Sequence, residues 1–241
     1  MLRLLGIVRD CTVHAIDGDF GSVQDFYFDV AEWTIRYLVV DTGGWLPGRQ
    51  VVISPSAVTE CNWEGRAFSL DLTKKQIENS PSVDTHQPVT RRHEHELAEH
   101  FRWPTWWGGT GAALMAVWAS LTDPDAAEAD KAEADLDSTR AMAGYHVLAG
   151  EETIGRIEDL VVDDATWRIR YLVVDTRECL RGHSVLLSSR WITALDWRES
   201  HIHVTPTAEQ IRCAPVFDPA QPITREDEQS LCDHYGEPLS P

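Results

Sequence analysis

Residues 33–42 of the chain read WTIRYLVVDT, and residues 167–176 read WRIRYLVVDT. Nine of these ten positions are identical, and the two stretches begin at residues 33 and 167, an offset of 134 residues. Both are rich in β-branched and aromatic residues, which favour strands. Because self-similarity at a fixed offset is typical of duplicated domains, these stretches predict two copies of one strand-rich domain.

The match continues without a gap on both sides, from residues 11–101 onto residues 145–235, with about a third of the positions identical. It predicts a first domain at residues 1–101, a linker at 102–144 and a second domain at 145–241. The identical pairs include Gly21/Gly155, Asp25/Asp159, Asp29/Asp163, Asp41/Asp175, Gly48/Gly182, Trp63/Trp197 and His100/His234.

Each copy consists of short apolar runs separated by turn residues, which predicts five or six short strands in a small barrel or sandwich. Thr90 and Thr224 are the expected N-caps of helices at residues 91–101 and 225–235. The linker is rich in tryptophan at first and then acidic and rich in alanine, a composition that fits a solvated helix or a flexible connection equally well. We therefore expect a mainly β protein with a short helix after each strand set and a partly helical linker.

Composition limits the classes of function. The 241-residue chain has a net charge of −18, which repels phosphate backbones and argues against nucleic acid as a partner. Its five cysteines include no CxxC and no matched pair between the copies, so a disulfide framework and a structural zinc site are disfavoured. The sequence has neither a signal peptide nor a long apolar stretch, which predicts a cytoplasmic protein without a transmembrane segment.

The motif in residues 21–29, followed by residues 33–42 and then by Pro47-Gly48 and VVISP at 51–55, resembles the PRC-barrel family. This family includes the cytoplasmic domain of the photosynthetic reaction-centre H subunit and the C-terminal domain of a ribosome maturation factor. The segments that follow the strands look like a tail common in bacterial stand-alone members. The resemblance covers both copies and implies one small, strongly curved barrel per copy, without a catalytic motif. By resemblance alone, it also leaves open a role as an accessory of photosynthetic or electron-transfer complexes.

Paired carboxylates are the first candidate for chemistry. Asp25 and Asp29 lie four residues apart on one predicted strand and so face the same side, and Asp41 ends the next predicted strand. Their matched partners repeat this arrangement. Aspartate at strand ends also accepts hydrogen bonds from turn amides, and this structural interpretation is the better supported of the two. We therefore predict no catalytic residues.

A run of histidine and glutamate on the first predicted helix is the strongest metal-like pattern. His93, Glu96 and His100 are spaced three and four residues apart, so they share a helix face. The second copy keeps only the histidine that matches His100, and a site essential to both copies would be kept in both. A solvated polar face is the favoured interpretation, and we expect neither a metal nor another cofactor.

Tryptophan is abundant, with ten residues. We expect Trp33, Trp63 and their matched partners in the cores, whereas unmatched tryptophans are candidates for an interaction surface. These candidates are Trp45, Trp103, Trp106, Trp107 and Trp118.

The leading hypothesis is a non-enzymatic protein-interaction or scaffold module in which the two copies form a pseudo-dimer within one chain. It would act on an unidentified protein partner, either as a homodimer or as a monomer with an internal pseudo-two-fold axis. The alternative is a regulatory protein that binds a small molecule or a metal.

Overall fold

A computed structural model describes residues 1–46, 48–81, 89, 91–103, 136–177 and 183–236. In these residues the fold is mainly β, which confirms the expected fold class at this level. The strands are β1 (Leu2–Leu4), β2 (Thr12–Ala15), β3 (Gly18–Asp29), β4 (Thr34–Asp41), β5 (Gln50–Ile53), β6 (Val58–Asn62), β7 (Ala67–Leu70), β8 (Leu136–Ser138), β9 (His146–Ala149), β10 (Glu152–Asp163), β11 (Arg168–Asp175), β12 (Ser184–Ser188), β13 (Ile192–Asp196) and β14 (His201–Val204).

The described helices are short. They are α1 (Leu5–Val8), α2 (Lys74–Glu78), α3 (Arg91–Phe101), α4 (Thr139–Met142), α5 (Ala208–Arg212) and α6 (Arg225–Tyr235), with 3-10 turns at Pro55–Ala57 and Ser189–Trp191. None of the helices in the described ranges is long and apolar enough to cross a membrane.

The elements repeat at the offset found in the sequence. Every strand and helix from β1 to α3 begins again 134 residues later, from β8 to α6. The structure therefore extends the repeat to β1, α1, β8 and α4, which precede the region that the sequence comparison aligned. The short helices also start alike, because Thr73 and Thr207 both form capping boxes with a glutamine three residues on.

The chain divides into two compact units. The first-repeat unit comprises the described residues within Arg9–Ala31 and Ile35–Ser138. Its strand order is β6-β7-β2-β3-β4-β5. Strand β2 is parallel to β7 and antiparallel to β3, so the sheet is mixed. The short strand β8, which precedes the second repeat in the chain, pairs antiparallel with the end of β3.

The second-repeat unit comprises the described residues within Met1–Val8, Glu32–Thr34 and Thr139–Pro241. Its strand order is β13-β14-β9-β10-β11-β12, again with one parallel pair, β14 and β9. Strand β1, from the beginning of the first repeat, pairs antiparallel with the end of β10. Each unit thus contains a short strand that, in the sequence, directly precedes the main strands of the other repeat. We call these two short strands, β1 and β8, the opening strands.

In both units the long strands bend at bulges. The β2–β3 ladder shifts register between Val13 and His14, and the β9–β10 ladder shifts between Thr153 and Gly155. Such bulges bend a strand and increase its twist. Among the described pairings, however, no hydrogen-bonded ladder joins the first strand of either order to the last. The described sheet is therefore open, and this curvature does not close it.

The identical glycines at the middle of the repeat have a steric reason. A Cβ at Gly21 would lie 2.0 Å from the carbonyl oxygen of Asp41, and one at Gly155 would lie 2.3 Å from that of Asp175. Only glycine lets the two strands approach so closely. Both repeats therefore need glycine at this position, because any side chain would clash with the neighbouring strand.

The core of each unit is formed mainly by aliphatic residues and phenylalanine. Fully buried examples are Phe26, Phe28, Leu38, Ile53, Phe68, Ile154, Leu160, Ile169 and Leu187. The expectation that the matched tryptophans are core residues is wrong for Trp197, which is 41% exposed. Trp33, Trp63 and Trp167 are half-buried. Trp33 and Trp167 have positive φ angles of 53° and 58°, which places them in turns before β4 and β11 rather than in strands.

Candidate docking groove

An apolar groove lies in the second-repeat unit, between β12 and α6. Its volume is about 190 Å³. Leu186 of β12 and Leu231 of α6 line it, and the chain between α5 and α6 supplies most of the rest. The complete lining is Leu186, Pro215, Val216, Phe217, Asp218, Gln221, Pro222, Ile223, Asp227, Ser230 and Leu231.

One wall of the groove is α6, which is attached to the sheet by a partly buried polar contact. The hydroxyl of Tyr171 on β11 donates to Oε1 of Glu228 over 2.7 Å, and Arg170 lies 3.6 Å from the same oxygen. Burial and the hydrogen bond to Glu228 raise the pKa of Tyr171 well above its usual range. The phenol therefore stays protonated and remains a donor to the helix.

The far end of α6 is held by a second contact. Nε2 of His234 donates to the backbone carbonyl of Gln210 over 2.7 Å. The ring of Tyr235 packs on that of Trp191, with centroids 4.3 Å apart. Since both ends of the helix are attached to the rest of the unit, the wall that it forms is rigid.

The opposite wall is the chain that leads into α6. The amide of Phe217 donates to the carbonyl of Ser184 over 2.8 Å, in an isolated antiparallel bridge at the start of β12. Antiparallel register then places Pro215 opposite Leu186, and proline has no amide hydrogen to continue the ladder. The bridge therefore ends after one pair. Beside it, Val216 is 69% exposed.

Carboxylates lie at the rim of the groove. Asp218 and Asp227 are both exposed lining residues. The hydroxyl and the amide of Thr224 donate to Asp227, and these bonds lower the pKa of its carboxyl. Asp227 is therefore ionised at neutral pH, and the rim is negative around an apolar floor.

The size of the groove decides what it can hold. Sites for small molecules in proteins usually enclose about 300–1,000 Å³. The volume of the groove, about 190 Å³, lies below this range. The groove is thus suited to one apolar side chain from a protein surface rather than to a whole cofactor. A cationic neighbour of that side chain would meet the acidic rim.

The matched aspartates lie in structural positions. Asp29 accepts from the amide of Ala31 and from Arg36, at 2.9 and 3.3 Å. Asp41 accepts from the amide of Gly43 over 2.7 Å. Their counterparts make the same kind of bond, Asp163 with the amide of Ala165 and Asp175 with that of Arg177. Asp25 and Asp159 hold the opening strands. Asp29, Asp41 and their counterparts therefore lie at strand ends and accept from turn amides, as expected. Asp25 and Asp159 differ from that expectation, because they lie inside β3 and β10 and accept from Ser138 and Gly6.

The candidate metal ligands are not brought together as a site. His93, Glu96 and His100 lie on α3, and Nε2 of His100 donates to the carbonyl of Gln76 over 2.9 Å. This is the counterpart of the contact between His234 and Gln210. Over the described ranges, no three His, Cys, Asp or Glu side chains are arranged to bind a metal ion. The histidine shared by the two repeats therefore attaches α3 to α2 and α6 to α5.

Two of the five tryptophan candidates lie in the described residues. Trp45 is half-buried, with its ring 6.3 Å from that of Phe20 and Nζ of Lys74 at 5.6 Å from its centre. Trp103 is half-buried and stacks on Phe101 at 4.3 Å. Both packing contacts lie within the first-repeat unit, whereas the groove belongs to the second-repeat unit. Trp106, Trp107 and Trp118 lie outside the described residues.

The groove itself was not found by sequence reasoning. Its floor and α6 come from predicted elements, but the wall at residues 215–223 has no periodic pattern. One signal was available: Val216 and Phe217 stand between two prolines, Pro215 and Pro219, in a stretch that has to cross the surface. The paired histidines His146 and His201 were missed for a related reason. Their rings lie 5.6 Å apart on β9 and β14, and parallel pairing over such distance in sequence has no local signature.

The described geometry thus presents a small apolar groove with an acidic rim, and aspartates and histidines that make structural contacts. Comparison of the sequence with protein-family models gave no match, and neither did comparison with curated proteins.

Proposed function

We propose that the chain is a non-enzymatic protein-interaction module, built from two PRC-barrel-like repeats, that docks a protein partner at the groove between β12 and α6. The partner inserts one apolar side chain between Leu186 and Leu231, and a cation beside it faces Asp218 and Asp227. The groove carries this proposal, because its volume suits a side chain better than a small molecule.

The fixed walls support docking. A rigid site loses little conformational entropy when it binds, so even a small apolar contact contributes to affinity. The contacts of Glu228 and His234 hold α6 at both ends. A partner therefore meets a surface that is already formed.

The use of the polar residues supports a role other than catalysis. Catalytic groups are often held with perturbed proton affinity in a cleft. Here Asp29 and Asp41 accept from turn amides, and the histidine common to both repeats donates to a backbone carbonyl. The repeats therefore preserve residues that build the fold.

The two repeats form an intramolecular pseudo-dimer in this proposal. The pairing of β1 with β10 and of β8 with β3 supports this part of the proposal. Each unit contains one opening strand that is continuous in sequence with the other repeat. Exchange of identical elements is a known route by which two copies of a domain associate. A duplication makes such an association permanent within one chain.

The test uses two apolar residues of nearly equal exposure. Val216 lies at the groove and is 69% exposed, and Ile16 lies in the first-repeat unit and is 67% exposed. Immobilised wild-type protein, Val216→Glu and Ile16→Glu are compared for captured proteins by quantitative mass spectrometry. We expect at least one protein to be captured by wild type and by Ile16→Glu but lost with Val216→Glu. Equal capture by all three would refute docking at the groove.

A further inference from the structure

The opening strand β1 and the surface of β10 that holds it form a binding site of their own. Leu2, Arg3 and Leu4 pair with Asp163, Val162 and Val161. Leu4 and Leu5 are buried, and so is Val8 at the end of α1. We call residues 2–8 the first opening segment. It is continuous with the first repeat in sequence but belongs to the second-repeat unit.

A bifurcated hydrogen bond, which we call the lock, holds the segment near its centre. The amide of Gly6 donates to both carboxylate oxygens of Asp159, at 3.1 and 3.0 Å. A Cβ at Gly6 would lie 2.7 Å from Oδ2 of Asp159, so the lock requires glycine or a displaced carboxylate. A side chain at position 6 would therefore displace this carboxylate and weaken its bond to the segment.

Charge complements this lock. Residues 1–9 contain Arg3 and Arg9 and no acidic residue, in a chain with a net charge of −18. The acceptor surface is acidic, with Asp159, Asp163 and Asp164, and Nε of Arg3 lies 3.5 Å from Oδ2 of Asp164. A basic segment thus meets one of the acidic surfaces of the protein.

The other opening strand has different chemistry. In the first-repeat unit, Ser138 of β8 donates its hydroxyl to Asp25 over 2.5 Å, and Asp137 takes the place that Arg3 has on β1. The residue that matches Gly6 is Arg140. This strand would bring an acidic side chain and a bulky one to the surface of β10. The two sites therefore distinguish the two strands.

We propose that the surface of β10 is a strand-acceptor site for the first opening segment of a second copy of this chain, so that two chains form a dimer by exchanging residues 2–8. The chain leaves the second-repeat unit after Val8 and enters the first-repeat unit at Arg9. Asp10, which follows, has a φ of 63° and marks this crossing. Because the same contacts form whether the segment comes from its own chain or from a second copy, the exchange loses no contact at this site.

The test joins two chains across this site. Leu2→Cys and Asp163→Cys are made in separate full-length chains, because these residues face each other in the register. All chains also carry Cys213→Ser, which removes the exposed native thiol. The two variants are unfolded together in denaturant, refolded together at high protein concentration, oxidised, and run on a non-reducing gel. We expect a disulfide-linked dimer of about twice 27.1 kDa, absent from each variant refolded alone.

Two controls define the outcome. Leu2→Cys is also mixed with Thr193→Cys, an exposed position on β13 that does not face the segment, to measure disulfides from random collision. Adding Gly6→Val to the Leu2→Cys chain should lower the yield of dimer about tenfold, which corresponds to ~1.4 kcal/mol, whereas Gly44→Val, at an open position, should leave it unchanged. A dimer yield no higher than with Thr193→Cys, or one insensitive to Gly6→Val, would overturn the proposal.

Discussion

At the scale of single residues, the two repeats use the same side chain in different ways. Asp25 and Asp159 are identical in sequence and both hold an opening strand, but one accepts from the hydroxyl of Ser138 and the other from the amide of Gly6. The two aspartates have different donors because the opening segments that contain Ser138 and Gly6 differ in sequence. The clearest difference between the two opening strands is Asp137 of β8, which places a second carboxyl near Asp25.

The Asp137 carboxyl should make stability depend on pH. Burial, and to a smaller extent the charge of Asp25, raise its pKa from 3.8 to about 6, against the opposing bond from the amide of Ser138. Because the folded protein then holds the proton more tightly than the unfolded chain, this group adds stability as pH falls from about 7 to about 4. Asp137→Asn should raise the free energy of unfolding by about 1 kcal/mol at pH 7.5. At pH 4.5 the same substitution should leave the free energy of unfolding unchanged. Urea denaturation at the two pH values measures both effects.

Asp196→Asn serves as the control of opposite sign. The backbone amides of Glu199 and Arg198 lower the pKa of Asp196, so its ionised form is favoured in the folded protein. This contribution is present at neutral pH and is lost as pH falls through the folded pKa. Asp196→Asn should therefore destabilise the protein at pH 7.5. An Asp137→Asn variant with the same pH profile as wild type would contradict the assignment.

At the scale of elements, the final helix of each repeat is attached by one histidine. His100 and His234 donate to the carbonyls of Gln76 and Gln210, which lie in α2 and α5. The identity of these histidines was visible in the sequence, but their partners were not. Within the metal-like pattern on α3, His100 is therefore explained by attachment of the helix.

The contact between Tyr171 and Glu228 should stabilise α6 measurably. A hydrogen bond to a charged group contributes about 1.5–3 kcal/mol. Tyr171→Phe should therefore lower the free energy of unfolding by about 1–2 kcal/mol and speed hydrogen exchange of the α6 amides. A double-mutant cycle with Glu228→Gln isolates the pair, and the expected coupling is about 1 kcal/mol. Additive effects of the two substitutions would show that the contact does not hold the helix.

Strand and helix positions could be predicted from the sequence because their patterns are local. The duplicated runs that became β4 and β11, and the threonine N-cap of α6, all have such patterns. Strands β1 and β8 could not be predicted, since each has three residues and only Leu2 and Leu136 are identical between them. The groove depends on a loop without periodicity, and the parallel pairs depend on contacts distant in sequence.

At the scale of the whole molecule, both compact units contain strands from two regions of the chain. Each repeat thus contributes a strand to the unit that is formed mainly by the other repeat. The boundaries of the compact units therefore differ from the boundaries of the sequence repeats at residues 1–8 and 136–138. In the proposed exchange between chains, residues 2–8 of one chain would pair with β10 of a second chain in the same way.

Cleavage of the linker should therefore leave the two halves associated. A protease site inserted between residues 123 and 135 gives one fragment that contains β1 and one that contains β8. Because each fragment supplies a strand to the unit formed mainly by the other, we expect both to elute together in size-exclusion chromatography under native conditions. The same digest run in denaturant should separate them. Fragments that part under native conditions would refute the pseudo-dimer.

The long separation of paired strands has a consequence for synthesis. Arg3 and Asp164, which form an ion pair, are 161 residues apart in the sequence. At about 5–20 residues per second, translation takes roughly ten to thirty seconds to bring the acceptor strand out of the ribosome after its partner. During that time an apolar, basic stretch of the nascent chain has no place to fold. Neighbouring ribosomes on one messenger RNA would hold several such stretches close together, so the first association between copies can begin before either chain is complete.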